Sequence, residues 1–344
     1  MSAPQRLQGS WMDFQHQNPH DGDYWNATTR RFTDAQWRGK IAEMAQLNLE
    51  YVVLMSSALD NCAFYPSRMM PQHDLACADP IAAVLEAAEE HGLKVFVSAG
   101  FYGHTTEETS DAPDYLAWHQ ALAQELLERY GASRAFYGWY VPNEAEIHGH
   151  FSDNMMRFLP AFAQYLHSLS PHHRILIAPY GTRQVQEDET FIAQLLTLGQ
   201  AGVDFIAYQD EVGVRKTKVE ELDAIYARLH RLHTQAAQRG PAPKLWADVE
   251  LFEFEGATYA SALIPANFDR ILRQLVAIAP HVETILCYQT HGLLNPPNSP
   301  QHCGHPDSVR LWQDYTAYLA QTFPALVTPN THDRIQPLNT TKTS

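Results

Sequence analysis

Cysteine is scarce, four residues in a chain of 344, too few to staple a protein of this length into a disulfide scaffold. No two cysteines stand at C-x-x-C spacing, so neither a zinc ribbon nor a thioredoxin-like site is supported. Cys287 lies in an apolar run and reads as a small buried hydrophobe. Cys62 and Cys77 flank a proline-containing loop and could pair in an oxidising compartment. Long apolar runs are also missing: none approaches the ~20 residues needed to cross a bilayer. The opening "MSAPQRLQGS" has neither the basic start nor the apolar stretch of a secretory signal. The expectation is a cytoplasmic protein, or a secreted one already trimmed.

Basic residues are outnumbered 24 to 39, for a formal net charge of -15. Nucleic acid and anionic membrane surfaces would repel such a chain, so neither is expected as a partner. No Gly-x-Gly-x-x-Gly follows any apolar run, which argues against a dinucleotide-binding open sheet. A charged content of 18% with 45% hydrophobic residues belongs to a globular protein.

What the chain does have is a repeat. Apolar runs at 7–14, 51–58, 93–101, 135–144, 174–180, 203–210, 244–250 and 282–290 alternate with helical patterns. Each run is short, β-branched or aromatic, and apolar on both faces, as parallel strands covered on both sides should be. Between them, "ADPIAAVLEAAEEHGLKVF" has Asp79 placed as N-cap, Pro80 at the first helical position and Gly92 at the close. Thr33 and Gln36 stand at capping-box spacing, and Pro160 should kink the fourth long helix or mark its first turn. Eight strand–helix units predict a single (β/α)8 TIM barrel over residues 1–322, with 323–344 as a loosely attached extension. Helix-to-strand turns are short. Strand-to-helix connections are long, at 59–78, 102–111, 211–218, 251–264 and 291–306, and long loops on one rim are where this fold builds its sites.

The strand ends carry the chemistry. "FYGWYVPNEAEIHGH" runs an apolar strand directly into Asn143 and Glu144, followed by Glu146, His148 and His150. The same transition recurs at Trp11 and Asp13, at Tyr208-Gln209-Asp210, at Asp248-Val249-Glu250 and at Gln289-Thr290-His291. If each terminal residue faces the barrel axis, at least three carboxylates converge in one cleft. Paired carboxylates push each other's pKa apart, leaving one protonated donor and one ionised acceptor. That division of labour is what hydrolysis of a glycosidic bond requires. Tyr102, Tyr180, Phe252 and Tyr259 are rim aromatics on which a sugar ring could stack, and Trp25, Phe64 and Tyr65 are further candidates.

Asn143-Glu144 at the end of the fourth strand and Glu250 at the end of the seventh resemble the signature of the large clan of retaining glycoside hydrolases built on this barrel. The resemblance implies Glu144 as general acid/base, Asn143 as a contact to the sugar 2-hydroxyl, and Glu250 as nucleophile. Tyr208 would then correspond to the aromatic that orients the nucleophile. "GWYVPNEAE" and "WADVELFE" resemble more closely an uncharacterised glycosidase-like barrel family, a domain of unknown function, over roughly residues 7–320. Clan members often carry tryptophan at the eighth strand tip, where this chain has "CYQTHG".

The expectation is therefore a glycoside hydrolase acting on a saccharide, without a cofactor. Trp11, Asp13, Asn143, Tyr208, Gln209, Asp210, Gln289, His291, Tyr102, Tyr180 and Phe252 are the candidate substrate contacts. Two alternatives stay open. Glu144, Asp210, Glu250 and His291 form a set suited to a divalent metal and hence to a sugar isomerase or epimerase. The barrel could also bind carbohydrate without turning it over. Oligomeric state, the sugar and its linkage are not legible in the sequence.

Overall fold

The computed structural model describes residues 6–101, 114–142, 144 and 146–327. Eight parallel strands close into a barrel: β1 (Gly9–Met12), β2 (Tyr51–Leu54), β3 (Lys94–Ser98), β4 (Phe136–Val141), β5 (Arg174–Ile177), β6 (Phe205–Gln209), β7 (Lys244–Glu250) and β8 (Thr284–Tyr288). Each pairs with its sequence neighbours, and β8 closes on β1 through Gly9↔Leu286 and Ser10↔Cys287. All eight lie within the apolar runs of the sequence. The helices that follow them are α1 (Asp34–Gln46), α2 (Pro80–His91), α3 (Tyr115–Tyr130), α4 (Asp153–Leu169), α5 (Glu189–Gln200), α6 (Leu222–Arg239), α7 (Phe268–Ile278) and α8 (Ser308–Thr322). A last helical turn spans Pro324–Val327.

Local chemistry starts and stops these helices where expected. Asp79 caps α2 by accepting the Ala82 N–H, Pro80 stands at its start, and Gly92 ends it in the left-handed conformation at φ 72. Thr33 and Gln36 form the capping box of α1. Ser152 caps α4, and Pro160 lies well inside that helix rather than in its first turn. All four cysteines are free thiols, so Cys62 and Cys77 are not paired here.

The barrel is plugged from below by aromatic rings. Trp246 stacks on Phe205 at 4.1 Å between centroids and meets Tyr51 at 5.1 Å, while Phe96 packs edge-on to Tyr137. Side chains alternate along a strand. Trp246 in the plug therefore sets Asp248 and Glu250 on the same inward face, successively nearer the rim. Two hairpins, Ala58–Leu59 with Cys62–Ala63 and Phe252–Phe254 with Leu263–Pro265, stand in the long loops of that rim. Among the described residues, no helix is long and apolar enough to cross a membrane.

Candidate active site

Above the aromatic plug lies a hollow of about 120 Å³ whose wall includes Trp11, Asp21, Glu144, Asp248, Glu250 and Tyr288. Glu250 ends β7 and is fixed from both sides. Its Oε2 accepts the Val214 N–H at 2.9 Å, and its carbonyl accepts Arg270 of α7 at 2.7 Å. Gly213 makes the first contact possible, because a Cβ there would stand 2.9 Å from Glu250 Oε2 and 2.6 Å from the Phe252 carbonyl. A second hollow opens toward solvent beside the first, lined by Glu144, Glu146, Tyr180, Gln209, Glu211 and Lys216, with Tyr259 at its edge. Glu144, Gln209, Val214 and Tyr259 border both hollows, whereas Glu250 and Asp248 border only the inner one.

Of the residues expected at the site, Trp11, Glu144, Gln209, Glu250 and Phe252 line the inner hollow, and Tyr180 lines the outer one. Others turn away, for reasons of strand phase. On β6, Phe205 and Gln209 point inward, so Tyr208 and Asp210 take the opposite face. The Tyr208 hydroxyl meets His233 of α6 at 3.1 Å, and Asp210 accepts Gln274 of α7 at 2.6 Å. Tyr208 therefore does not touch Glu250's carboxylate, and Asp210 supports the strand from behind through the Glu250 N–H at 3.3 Å.

On β8 the inward residue is Tyr288, and Gln289 is fully buried, accepting the Asp13 N–H. His291 is buried against Trp37, with Nε2 3.6 Å from Asp13 Oδ1. Asp13 sits behind the wall, accepting the Tyr288 hydroxyl at 3.2 Å. The four-residue metal set thus breaks up, since only Glu144 and Glu250 reach the hollow. Among the described residues, no cluster of three His, Cys, Asp or Glu is arranged to hold a metal. Trp25, Phe64 and Tyr65 are core residues. Asn143 and Tyr102 lie outside the described residues.

Tyr288 and Asp21 are polar wall residues that the sequence reading did not name. Tyr288 was concealed by the phase of β8, which counting from Leu286 in the barrel seam recovers. Asp21 belongs to the loop after β1 and carried no periodic signal. Its loop is tied to the one after β7, where the Leu263 N–H donates to the Asp21 carbonyl at 3.1 Å and Asn18 Nδ2 to the Tyr259 carbonyl at 3.1 Å.

Burial dominates the electrostatics. Glu144 is pushed up to about 7, with a hydrogen bond from Gln209 and the Lys216 ammonium pulling the other way. Asp21 rises to about 6, again by burial. Asp248 is held well above the carboxylate range by burial and by Asp210, Glu250 and Glu144. Glu250 is raised by burial, Asp210 and Glu211, against the Val214 N–H and Arg270. These carboxyls cannot all ionise together, so some hold protons at neutral pH.

The comparisons agree with the (β/α)8 barrel fold. The chain belongs to the family described as "Domain of unknown function (DUF4434)", whose model matches residues 7–303. No curated protein matches the sequence. Among solved structures, a protein of Bacteroides thetaiotaomicron described as a "putative alpha-L-fucosidase" superposes with a TM-score of 0.68 at 18% identity, covering 92% of this chain and 94% of its own. The endo-1,4-beta-mannanase of Rhizomucor miehei gives 0.52 at 11% identity over 93% and 96% of the two chains. A GH2 beta-galacturonidase of Eisenbergiella tayi gives 0.53 at 11% identity over 92% of this chain and 51% of its own. At such identities the likeness is one of fold.

Proposed function

We propose that the protein is a glycoside hydrolase that cleaves an O-glycosidic bond by a retaining, two-carboxylate mechanism. The observation that carries the reading is the division of the two hollows. Glu144 borders both, while Glu250 borders only the inner one. A bond spanning the two hollows places the glycone beside Glu250 and its bridging oxygen beside Glu144. Glu144, raised to about 7 by burial, then gives its proton to the departing oxygen. Glu250 attacks the anomeric carbon as the bond breaks, and a glycosyl ester forms. Water deprotonated by Glu144 next attacks that ester, releasing the sugar and restoring both groups.

The nucleophile must be ionised although its surroundings raise its pKa. Asp248 Oδ1 accepts no hydrogen bond, whereas Glu250 Oε2 accepts the Val214 N–H at 2.9 Å. A shared proton therefore rests on Asp248 and leaves Glu250 charged.

The experiment is a panel of 4-nitrophenyl glycosides of both anomers, with the wild type and the Glu250→Gln and Glu144→Gln variants. Glu250→Gln is expected to abolish turnover while the circular dichroism and melting profile stay native. Glu144→Gln is expected to lose about 10²–10⁴-fold, with azide restoring glycosyl transfer. NMR of the first-formed product distinguishes retention from inversion. Undiminished turnover in Glu250→Gln removes the assignment.

A further inference from the structure

Resting on the glycosidase reading, we infer that the sugar ring held in the inner hollow is uncharged or carries an amino group, and that Asp21, beside the unpaired acceptor of Asp248, selects it against acidic sugars. Four carboxyls line this hollow, Asp21, Glu144, Asp248 and Glu250, and no lysine or arginine does among the described residues. Its basic side chain, His16, is pushed down to about 4 by burial and stays neutral near pH 7. The neighbouring cations are committed elsewhere. Lys216 lines the outer hollow, 3.7 Å from Glu211 and 4.6 Å above the Tyr180 ring. Arg270 donates from behind β7 to the carbonyls of Glu250 and Phe252.

An acidic wall alone would not define a ligand. Here two of its members are buried with an acceptor unused. Asp21 is 5% exposed and Asp248 4%, and the Oδ1 of each has no hydrogen-bond donor. A buried polar atom left unpaired is costly, so each position favours a ligand that brings a donor. Sugar hydroxyls and an ammonium supply donors. A uronate carboxylate supplies none, and adds a negative charge among groups already competing for protons. One like charge about 5 Å away in surroundings of effective dielectric about 20 weakens binding by about 100-fold or more. A site built for an acidic sugar would aim a guanidinium or ammonium into this hollow.

The test uses phenyl 1-thioglycosides, which resist hydrolysis, in the gluco, galacto and manno series and both anomers. Each is presented as the parent hexoside, the 2-amino-2-deoxy hexoside and the 6-carboxylate. Binding to the wild type is followed by tryptophan fluorescence, Trp11 being part of the wall. The expected result is a parent or amino compound that binds at least about 100-fold more tightly than its 6-carboxylate. In Asp21→Asn, which removes a negative charge from the wall, the preference for the amino over the acidic form should fall by about tenfold or more. Asp21 stands on a loop, and the wild-type comparison of each parent with its 6-carboxylate keeps the test open if the variant does not fold.

A 6-carboxylate that binds as tightly as its parent overturns the inference while leaving the glycosidase reading intact. An unchanged preference in folded Asp21→Asn overturns the role of that residue. Binding of no compound removes the glycosidase reading, and this inference with it.

Discussion

Lys216 and Tyr208 show how single residues act on the site from different distances. Lys216 faces Glu144 across the outer hollow and holds its pKa below what burial alone would impose. Replacing it by methionine removes that restraint, so the Glu144 pKa should rise further. Glu144 acts as an acid only while protonated. The alkaline limb of kcat/KM should therefore move to higher pH in Lys216→Met, as a pH–rate profile will read; a limb that moves downward contradicts the assignment. Tyr208 bonds to His233 in the helix layer. Tyr208→Phe should leave kcat within about threefold and cost about 1 kcal/mol of stability, the net worth of a buried hydrogen bond, measured by urea unfolding. A loss of kcat by orders of magnitude would return Tyr208 to the site.

At the scale of elements, the end of β7 is braced from several sides. Arg270 and Gln274 of α7 hold its carbonyl, Asp210 beyond β6 receives its amide, and the Val214 N–H fixes its carboxylate. The last contact depends on the loop after β6 approaching closely at Gly213. In Gly213→Ala the new methyl would meet the Phe252 carbonyl at 2.6 Å and Glu250 Oε2 at 2.9 Å, so the loop must withdraw. The expected outcome is a fall in kcat of about tenfold or more, since a displacement of about 1 Å in a catalytic group costs up to about 10², with KM changing less. Steady-state kinetics of the purified variant check it. The brace was only partly legible beforehand. Glu250 is expected at a strand tip, whereas nothing in the sequence marks Arg270 and Gln274 of α7 as its partners. Asp210 was expected in the cleft because its sequence position is terminal; the phase of β6 sends it to the helix side.

Over the whole molecule, burial shifts two classes of groups in opposite directions. Asp13, Asp21 and Asp210 rise to about 6, Glu144 to about 7, and Asp248 and Glu250 well above their ordinary range. His16, His119 and His233 fall to about 4, and His291 well below its ordinary value. Raised carboxyls make the folded state bind more protons than the unfolded chain, which contributes stability at low pH that is lost as pH rises through the folded pKa. Depressed histidines do the reverse between about pH 4 and 6.5. The two contributions oppose each other in that interval. Above about pH 7.5 the unfolded histidines have lost most of their protons, while Glu144, Asp248 and Glu250 are still releasing theirs in the folded state. The melting temperature should therefore fall from pH 7.5 to pH 8.5, and Asp248→Asn should flatten that fall. Differential scanning fluorimetry across the interval tests it, and a rising melting temperature would contradict the charge assignment.

The sequence by itself determined the barrel, its eight strands, the caps of its helices and the carboxylates at the tips of β4 and β7. Hydrophobic period and capping chemistry act over a few residues and can be counted along the chain. Only the tertiary structure decided which face each tip residue takes. The inward phase of a strand is set by closure of the barrel, and a shift of one residue exchanges Gln209 for Asp210 or Tyr288 for Gln289. Closure also brought the loop after β1 against the loop after β7, so that Asp21 faces Asp248 and Glu250 in one hollow. More than 220 residues separate Asp21 from Asp248, and no local pattern encodes a contact that only the closed ring creates.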